Sequence, residues 1–211
     1  MFCFQEMTEE TRKLCRELFP LYSEYRVTKK GLDPRESFYQ AIYVHPRFTV
    51  TNVTELLLDE PEAGLALALN VIDKEQSYTI VNLHGVSRAY IDGRALDVDE
   101  KMDFPVRIKQ FEIVRDFAQA TEGNVIIGGD FNVLPKTQSI RLFQEADYKD
   151  LIQEYQIQTT RNHYAWDLYP DSQRYYYSDY VFVSPGISVR SFEVSPVEVS
   201  DHLPLILEID Y

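Results

Sequence analysis

Long apolar runs are missing from this chain. No stretch of about 18 consecutive apolar residues occurs, so no helix spans a bilayer. Cysteine is scarce: Cys3 and Cys15 are the only two, too few for a disulfide framework and consistent with a reduced, cytoplasmic protein. No Pro/Gly/Ser-rich linker, repeat or low-complexity tract divides the sequence, so one domain is expected over residues 1–211. Positive charge is in deficit, with 21 Lys and Arg against 34 Asp and Glu, a net charge of −13. Such a field repels polyanions at long range and argues against a broad basic face for nucleic acid. It leaves room for a phosphate-handling enzyme that recruits a divalent cation, because oxygen ligands suit such ions. Two acidic stretches, 55–62 and 97–103, read as solvated loops.

What is present is an ordinary apolar content of 45% in an interleaved pattern. "EETRKLCRELF" (9–19) reads as a helix with Leu14, Leu18 and Phe19 on one face. Thr8 caps it, and Glu9 and Glu10 occupy its first turn. "SFYQAIYVHP" (37–46) reads as a strand ended by Pro46. Residues 64–72 and 77–86 read as strands of one hairpin around "DKEQS". "FPVRIKQFEIVRDFAQA" (104–120) reads as a helix, with Pro105 in its first turn and a stripe of Ile108, Phe111, Ile113, Val114 and Phe117. "NVIIGGDFN" reads as a central strand, apolar on both faces. A short helix over 137–146 and strands over 175–185 and 204–211 complete the series. Strands and helices alternate, which indicates α/β architecture.

Polar residues then collect at strand ends, where open sheets place their sites. These are Glu6, His84, Asp130, Asn132, Asp179, Asp201 and His202. Singly, each has a bland reading as a turn, a cap or a solvated carboxylate. Together they make a poor core and a good metal-assisted phosphoryl-transfer site. Asp130 and Asn132, two apart, are expected on one side of an extended chain. Gly128 and Gly129 are expected to allow a tight turn and a close approach of substrate.

The segments "FCFQEM", "VNLHG", "GGDFNVLP", "YSDYVFVSP" and "SDHLPL" resemble, in order, the motifs of the endonuclease/exonuclease/phosphatase superfamily, the DNase I-like fold. The resemblance spans essentially the whole chain. It implies a four-layer α/β/β/α sandwich of two mixed sheets with helices outside. It also implies a Mg²⁺- or Mn²⁺-dependent hydrolase of phosphoesters. By resemblance, Glu6 is a metal ligand, and Asp201 a further metal-side or hydrogen-bonding acid. Asp130 orients or deprotonates the attacking water, and Asn132 donates to the phosphate. His202 contacts the scissile phosphate, Asp179 holds that imidazole, and His84 protonates the leaving oxygen. Family members begin with a further strand ending in asparagine, which this sequence does not contain. The resemblance therefore implies an N-terminally truncated member, whose own activity is expected to be weak or absent.

Substrate is less constrained. A monomeric phosphodiesterase or nuclease is the first expectation. A phosphomonoesterase, a lipid-headgroup hydrolase and a non-catalytic binding domain on the same scaffold are the alternatives. Arg26, Lys29, Lys30 and Arg35 form a basic loop that reads either as solvated or as a grip on a phosphate backbone. Tyr175, Tyr176 and Tyr177 read as strand residues ahead of a base-stacking role. Trp166 reads as packed. Arg161 and Asn162 are candidates for a phosphate clamp, and Glu60 or Glu62 for orienting His84. His45 and His163 receive no role.

Overall fold

A six-stranded sheet occupies the centre of the molecule. The computed structural model describes residues 1–28, 39–60, 64–86, 90–91, 94–95, 103–167 and 174–210. In spatial order the sheet runs β10 (Lys149–Asp150), β11 (Asp179–Val183), β9 (Asn124–Asp130), β6 (Gln76–His84), β5 (Leu65–Asp73) and β4 (Thr49–Leu56). The β6–β9 pair is parallel and the other pairs are antiparallel. A parallel pair needs a crossover, and α2 (Pro105–Ala120) supplies it between β6 and β9. Asp73 pairs with Gln76 in the β5–β6 hairpin, so only Lys74 and Glu75 form its turn. Lys74 takes up the left-handed conformation there, at φ 56°.

Alternation along β5 and β6 divides the side chains between two faces. On one face, Ala66, Ala68, Val81 and Leu83, with Val125 and Ile127 of β9, pack under Phe111, Val114 and Ala118 of α2. Ile140 and Phe143 of α3 (Gln138–Glu145) join them. On the other face, Leu67, Leu69, Val71 and Ile80 meet Val27, Ile42 and Val44 of a second sheet. That sheet runs β1 (Phe2–Met7), β3 (Tyr39–Val44), β2 (Ser23–Val27). Its outer face carries Met7, Tyr39, Ala41 and Tyr43 against Cys15 of α1 (Glu9–Leu18). The layers are therefore α/β/β/α, as expected. Each fully buried aliphatic or Phe side chain in these interfaces contributes about 1.5–3 kcal/mol.

The second layer departs from the expected mixed sheet. β1–β3–β2 is antiparallel throughout, and β12 (Val189–Val194) with β13 (Leu205–Ile209) forms a separate antiparallel pair. Leu205, Leu207 and Ile209 turn their side chains to the core. A further two-stranded ladder pairs β7 (Tyr90–Ile91) with β8 (Arg94–Ala95).

Three sequence expectations are corrected. Helix α1 is capped by Thr8 as expected, but Leu14 and Leu18 are 53% and 61% exposed, and Cys15 is its buried residue. The face of this helix is set by docking on β1 and β3, which the apolar spacing alone does not report. Tyr175, Tyr176 and Tyr177 precede the strand, because β11 begins at Asp179. β9 ends at Asp130, so Asn132 lies beyond it. Strands β2, β4 and β12 were not anticipated. β4 is an edge strand whose residues Thr49, Thr51, Asn52 and Thr54 dilute the apolar signal. Lys29, Lys30, Arg35, Glu62 and residues 97–102 of the second acidic stretch lie outside the described residues.

Candidate active site

Three of the expected site residues stand in one row across three adjacent strands. His84 at the end of β6 is the register partner of Asp130 at the end of β9. Asp130 is in turn the partner of Asp179 at the start of β11. The parallel and antiparallel pairings bring two strand ends and one strand start to the same rim of the sheet.

His202, just before β13, closes over this row. Its Nδ1 lies 2.9 Å from Asp179 Oδ2, and its Nε2 lies 3.7 Å from Asp130 Oδ2. Burial alone would lower the His202 imidazole, but Asp179 and Asp130 outweigh it and hold it above its ordinary value. Burial pushes the Asp179 carboxyl up, against the pull of His202. Donor atoms of Asp130, Asp179 and His202 all lie within 4.8 Å of one another.

Among the described residues, Ser178 and Asn132 fix Asp130 by three hydrogen bonds. Ser178 Oγ donates at 2.6 Å, the Asn132 N–H at 2.9 Å and Asn132 Nδ2 at 3.1 Å. The Asn132 bonds form a turn closed by the aspartate side chain, and Asn132 sits in the left-handed region at φ 57°. Asparagine tolerates that conformation better than most residues. Asn132 thus shares the Asp130 side by way of a turn, correcting the expected extended chain. Its amide also donates to Gly85 O at 3.0 Å. Gly129, at φ 136°, is required by the neighbouring strand. A Cβ there would lie 2.0 Å from Leu83 O, whereas one at Gly128 would meet Val181 Cγ2 at 3.5 Å and Tyr180 O at 3.6 Å, both ordinary contacts.

Glu6 comes from the other sheet. Its side chain is 58% exposed, and Oε1 lies 3.6 Å from His84 Nε2. Asp201 accepts from Arg161 Nη2 at 2.6 Å and stands 3.9 Å from His202 Nε2. Arg161 Nη1 lies 2.8 Å from that same Nε2. Arginine only donates, so Nε2 accepts here and Nδ1 carries the proton toward Asp179. Arg161 therefore belongs to the site, brought in by an isolated backbone bridge to His202. Asn162 does not act with it as a clamp. It caps α5 (His163–Trp166) and donates to Ser200 O. Glu60 pairs with Lys109 and not with His84. Trp166 packs on Tyr176 at 5.2 Å between ring centroids.

Sequence reasoning missed the residues that hold this rim. Thr160 Oγ1 accepts from the N–H groups of Ser178 and Asp179. Gln110, fully buried on α2, accepts from Gly64 N at 3.0 Å and Val86 N at 3.2 Å. Arg107, one turn earlier, donates to Val86 O at 2.8 Å. Burial pushes its guanidinium down to about 10. Both grip the segment after His84 from behind the sheet. Their one signal was a pair of polar residues inside the apolar stripe of 104–120.

Asp130 and Asp179 converge with His202, while Glu6 and Asp201 approach the same rim beside His84 and His202, and carboxylate oxygens suit a hard divalent cation such as Mg²⁺. Glu6, with its side chain 58% exposed and its Oε1 at 3.6 Å from His84 Nε2, presents carboxylate oxygens to such an ion.

The sequence matches the Endonuclease/Exonuclease/phosphatase family over residues 1–202. The chain belongs to that family. Members are hydrolases acting on phosphoesters and are generally dependent on divalent metal. No curated protein matches the chain in sequence. Among solved structures it resembles a mannosyl-6-phosphatase of Bacteroides thetaiotaomicron, at 19% identity and a TM-score of 0.69, over 100% of this chain and 85% of that one. It resembles the human Nocturnin catalytic domain with bound sulfate at 16% identity and TM-score 0.68, over 99% and 79%. It resembles D. rerio TDP2 complexed with single strand DNA product at 12% identity and TM-score 0.64, over 99% and 85%. At these identities the likeness is one of fold. No described helix is long and apolar enough to cross a membrane.

Proposed function

We propose that this family member is a divalent-metal-dependent phosphodiesterase of the nuclease type, acting as one domain by in-line attack of water. The row of His84, Asp130 and Asp179, with His202 held by Asp179, is the observation that carries the reading. Asp130, fixed by Ser178 and Asn132, orients the attacking water and takes its proton. His202 in its imidazolium form donates Nε2–H to a phosphoryl oxygen in place of the Arg161 contact, and Asp179 holds its Nδ1–H and its orientation. Arg161, beside His202, adds positive charge where the transition state spreads negative charge. His84 stands on the opposite flank of Asp130 and delivers a proton to the leaving oxygen. Glu6, with Asp201 in reach of the same rim, holds the cation. A bound Mg²⁺ or Mn²⁺ would neutralise charge on the phosphoryl group.

The test is hydrolysis of bis-p-nitrophenyl phosphate with Mg²⁺, Mn²⁺ or chelator, beside the Asp130→Ala variant. Metal-dependent turnover that disappears in the variant is expected. A folded protein without turnover under any of these conditions would overturn the hydrolytic reading for this chain. Faster release from p-nitrophenyl phosphate than from the diester would move the reading to a phosphomonoesterase.

A further inference from the structure

Between Gln76 and His84 at its two ends, the inner face of β6 carries Tyr78, Ile80 and a single buried amide. Tyr78 and Ile80 pack into the core between the two sheets, while Asn82, fully buried, sits among them. Its carboxamide is bonded entirely across the interface. Oδ1 accepts from Gln5 Nε2 at 2.5 Å, and Nδ2 donates to Phe4 O at 3.0 Å and to Ala41 O at 3.2 Å. A buried amide costs free energy relative to an apolar side chain unless its bonds are made, and here they tie two sheets in one register.

These bonds land where β1 is irregular. Phe4 pairs with Ala41 and Met7 with Tyr39, so β1 advances three residues while β3 advances two. Phe4 and Met7 both face α1 despite their odd spacing. The extra residue is absorbed at Glu6, whose φ is 51°. Regular alternation would send Glu6 to the α1 side with Phe4. The bulge instead turns it to within 3.6 Å of His84. Gln5 precedes Glu6, and Asn82 shares a face of β6 with His84 two residues on. The Gln5–Asn82 bond and the Glu6–His84 approach are thus adjacent rungs between the sheets.

We propose that Gln5 and Asn82 are positioning residues for Glu6, holding the bulge that delivers this one carboxylate from the small sheet to a rim built on the large one. The inference rests on the metal-dependent reading above. It assigns a role to the glutamine of "FCFQEM" and the asparagine of "VNLHG", which the mechanism does not use.

The experiment is calorimetric titration of Mn²⁺ into metal-free protein, for wild type, Gln5→Met, Glu6→Gln and the double variant. Gln5→Met is expected to weaken Mn²⁺ by about tenfold, the usual scale for a group supporting a ligand. The double variant is expected to bind as Glu6→Gln does, because Gln5 acts through Glu6. Losses that multiply in the double variant, or a Gln5→Met protein that binds as wild type does, would overturn the positioning role alone. A folded wild type that binds no Mn²⁺ would overturn the metal reading and this role with it. Asn82→Ala should behave as Gln5→Met. It strips two buried carbonyls of their donor, so Gln5→Met, at a half-buried site, carries the test if Asn82→Ala does not fold.

Discussion

Asp130 and Asp179 are direct register partners on neighbouring antiparallel strands, two carboxylates on one rung of the ladder. Like charges so placed repel. The rung survives because Ser178 and Asn132 donate to one carboxylate and His202 engages the other. Removing Asp179 should therefore disable His202 while relieving the repulsion. Asp179→Asn is expected to lower kcat by about 10²–10⁴-fold, the range for loss of a general acid–base group. Unfolding in urea should show stability that does not fall in parallel.

The same pair sets a pH dependence. His202 titrates above its ordinary 6.5 in the folded protein. A raised histidine contributes stability fully below the unfolded value and loses it as pH rises through the folded one. The stability advantage of wild type over His202→Gln should thus be greatest below about pH 6.5 and shrink at higher pH. Urea midpoints of the two proteins across that interval check it.

Adjacent glycines should differ sharply. Gly129→Ala forces a Cβ against Leu83 O at a positive φ, and should cost more than about 4 kcal/mol or prevent folding. Gly128→Ala should change stability by less than about 1 kcal/mol. Paired denaturant curves decide this.

Gln110→Leu leaves the N–H groups of Gly64 and Val86 without this acceptor. It should destabilise by about 1–3 kcal/mol through the lost Val86 bond. Hydrogen exchange at Val86 should accelerate beyond that of β5 and β6.

Arg161→Ala should lower kcat/KM by about 10–100-fold, as loss of a charged hydrogen bond worth about 1.5–3 kcal/mol implies. Lysine should rescue it poorly, because it lacks the fork that reaches Asp201 and His202 together. Steady-state kinetics on the activated diester measure both.

The sequence made strand ends and their polar residues legible, because apolar strands such as "IVNL" and "VIIGG" stop abruptly at His84 and Asp130. It left the rungs between them unreadable. Asp130 and Asp179 are brought together by the register of strands distant in sequence, which no local pattern encodes. Arg161 had no spacing argument, since a single long-range bridge to His202 places it. Asn132 looked like a simple second step along a strand. Its true position depends on a left-handed turn that the Asp130 side chain closes. Helix α1 misled for the opposite reason. Its leucines form a clear stripe, but Cys15 is what docks.

The large and small sheets also differ in how they finish. The six-stranded sheet ends in a two-residue strand on one side and in polar β4 on the other, both poor templates for a foreign strand. β1 and β13 are terminal strands of their own small sheets, and they carry "FCF" and "LIL". Colloidal behaviour should follow from them. Recovery on refolding should drop as protein concentration rises, with light scattering growing first, and a lysine at outward-facing Ile206 should widen the usable range.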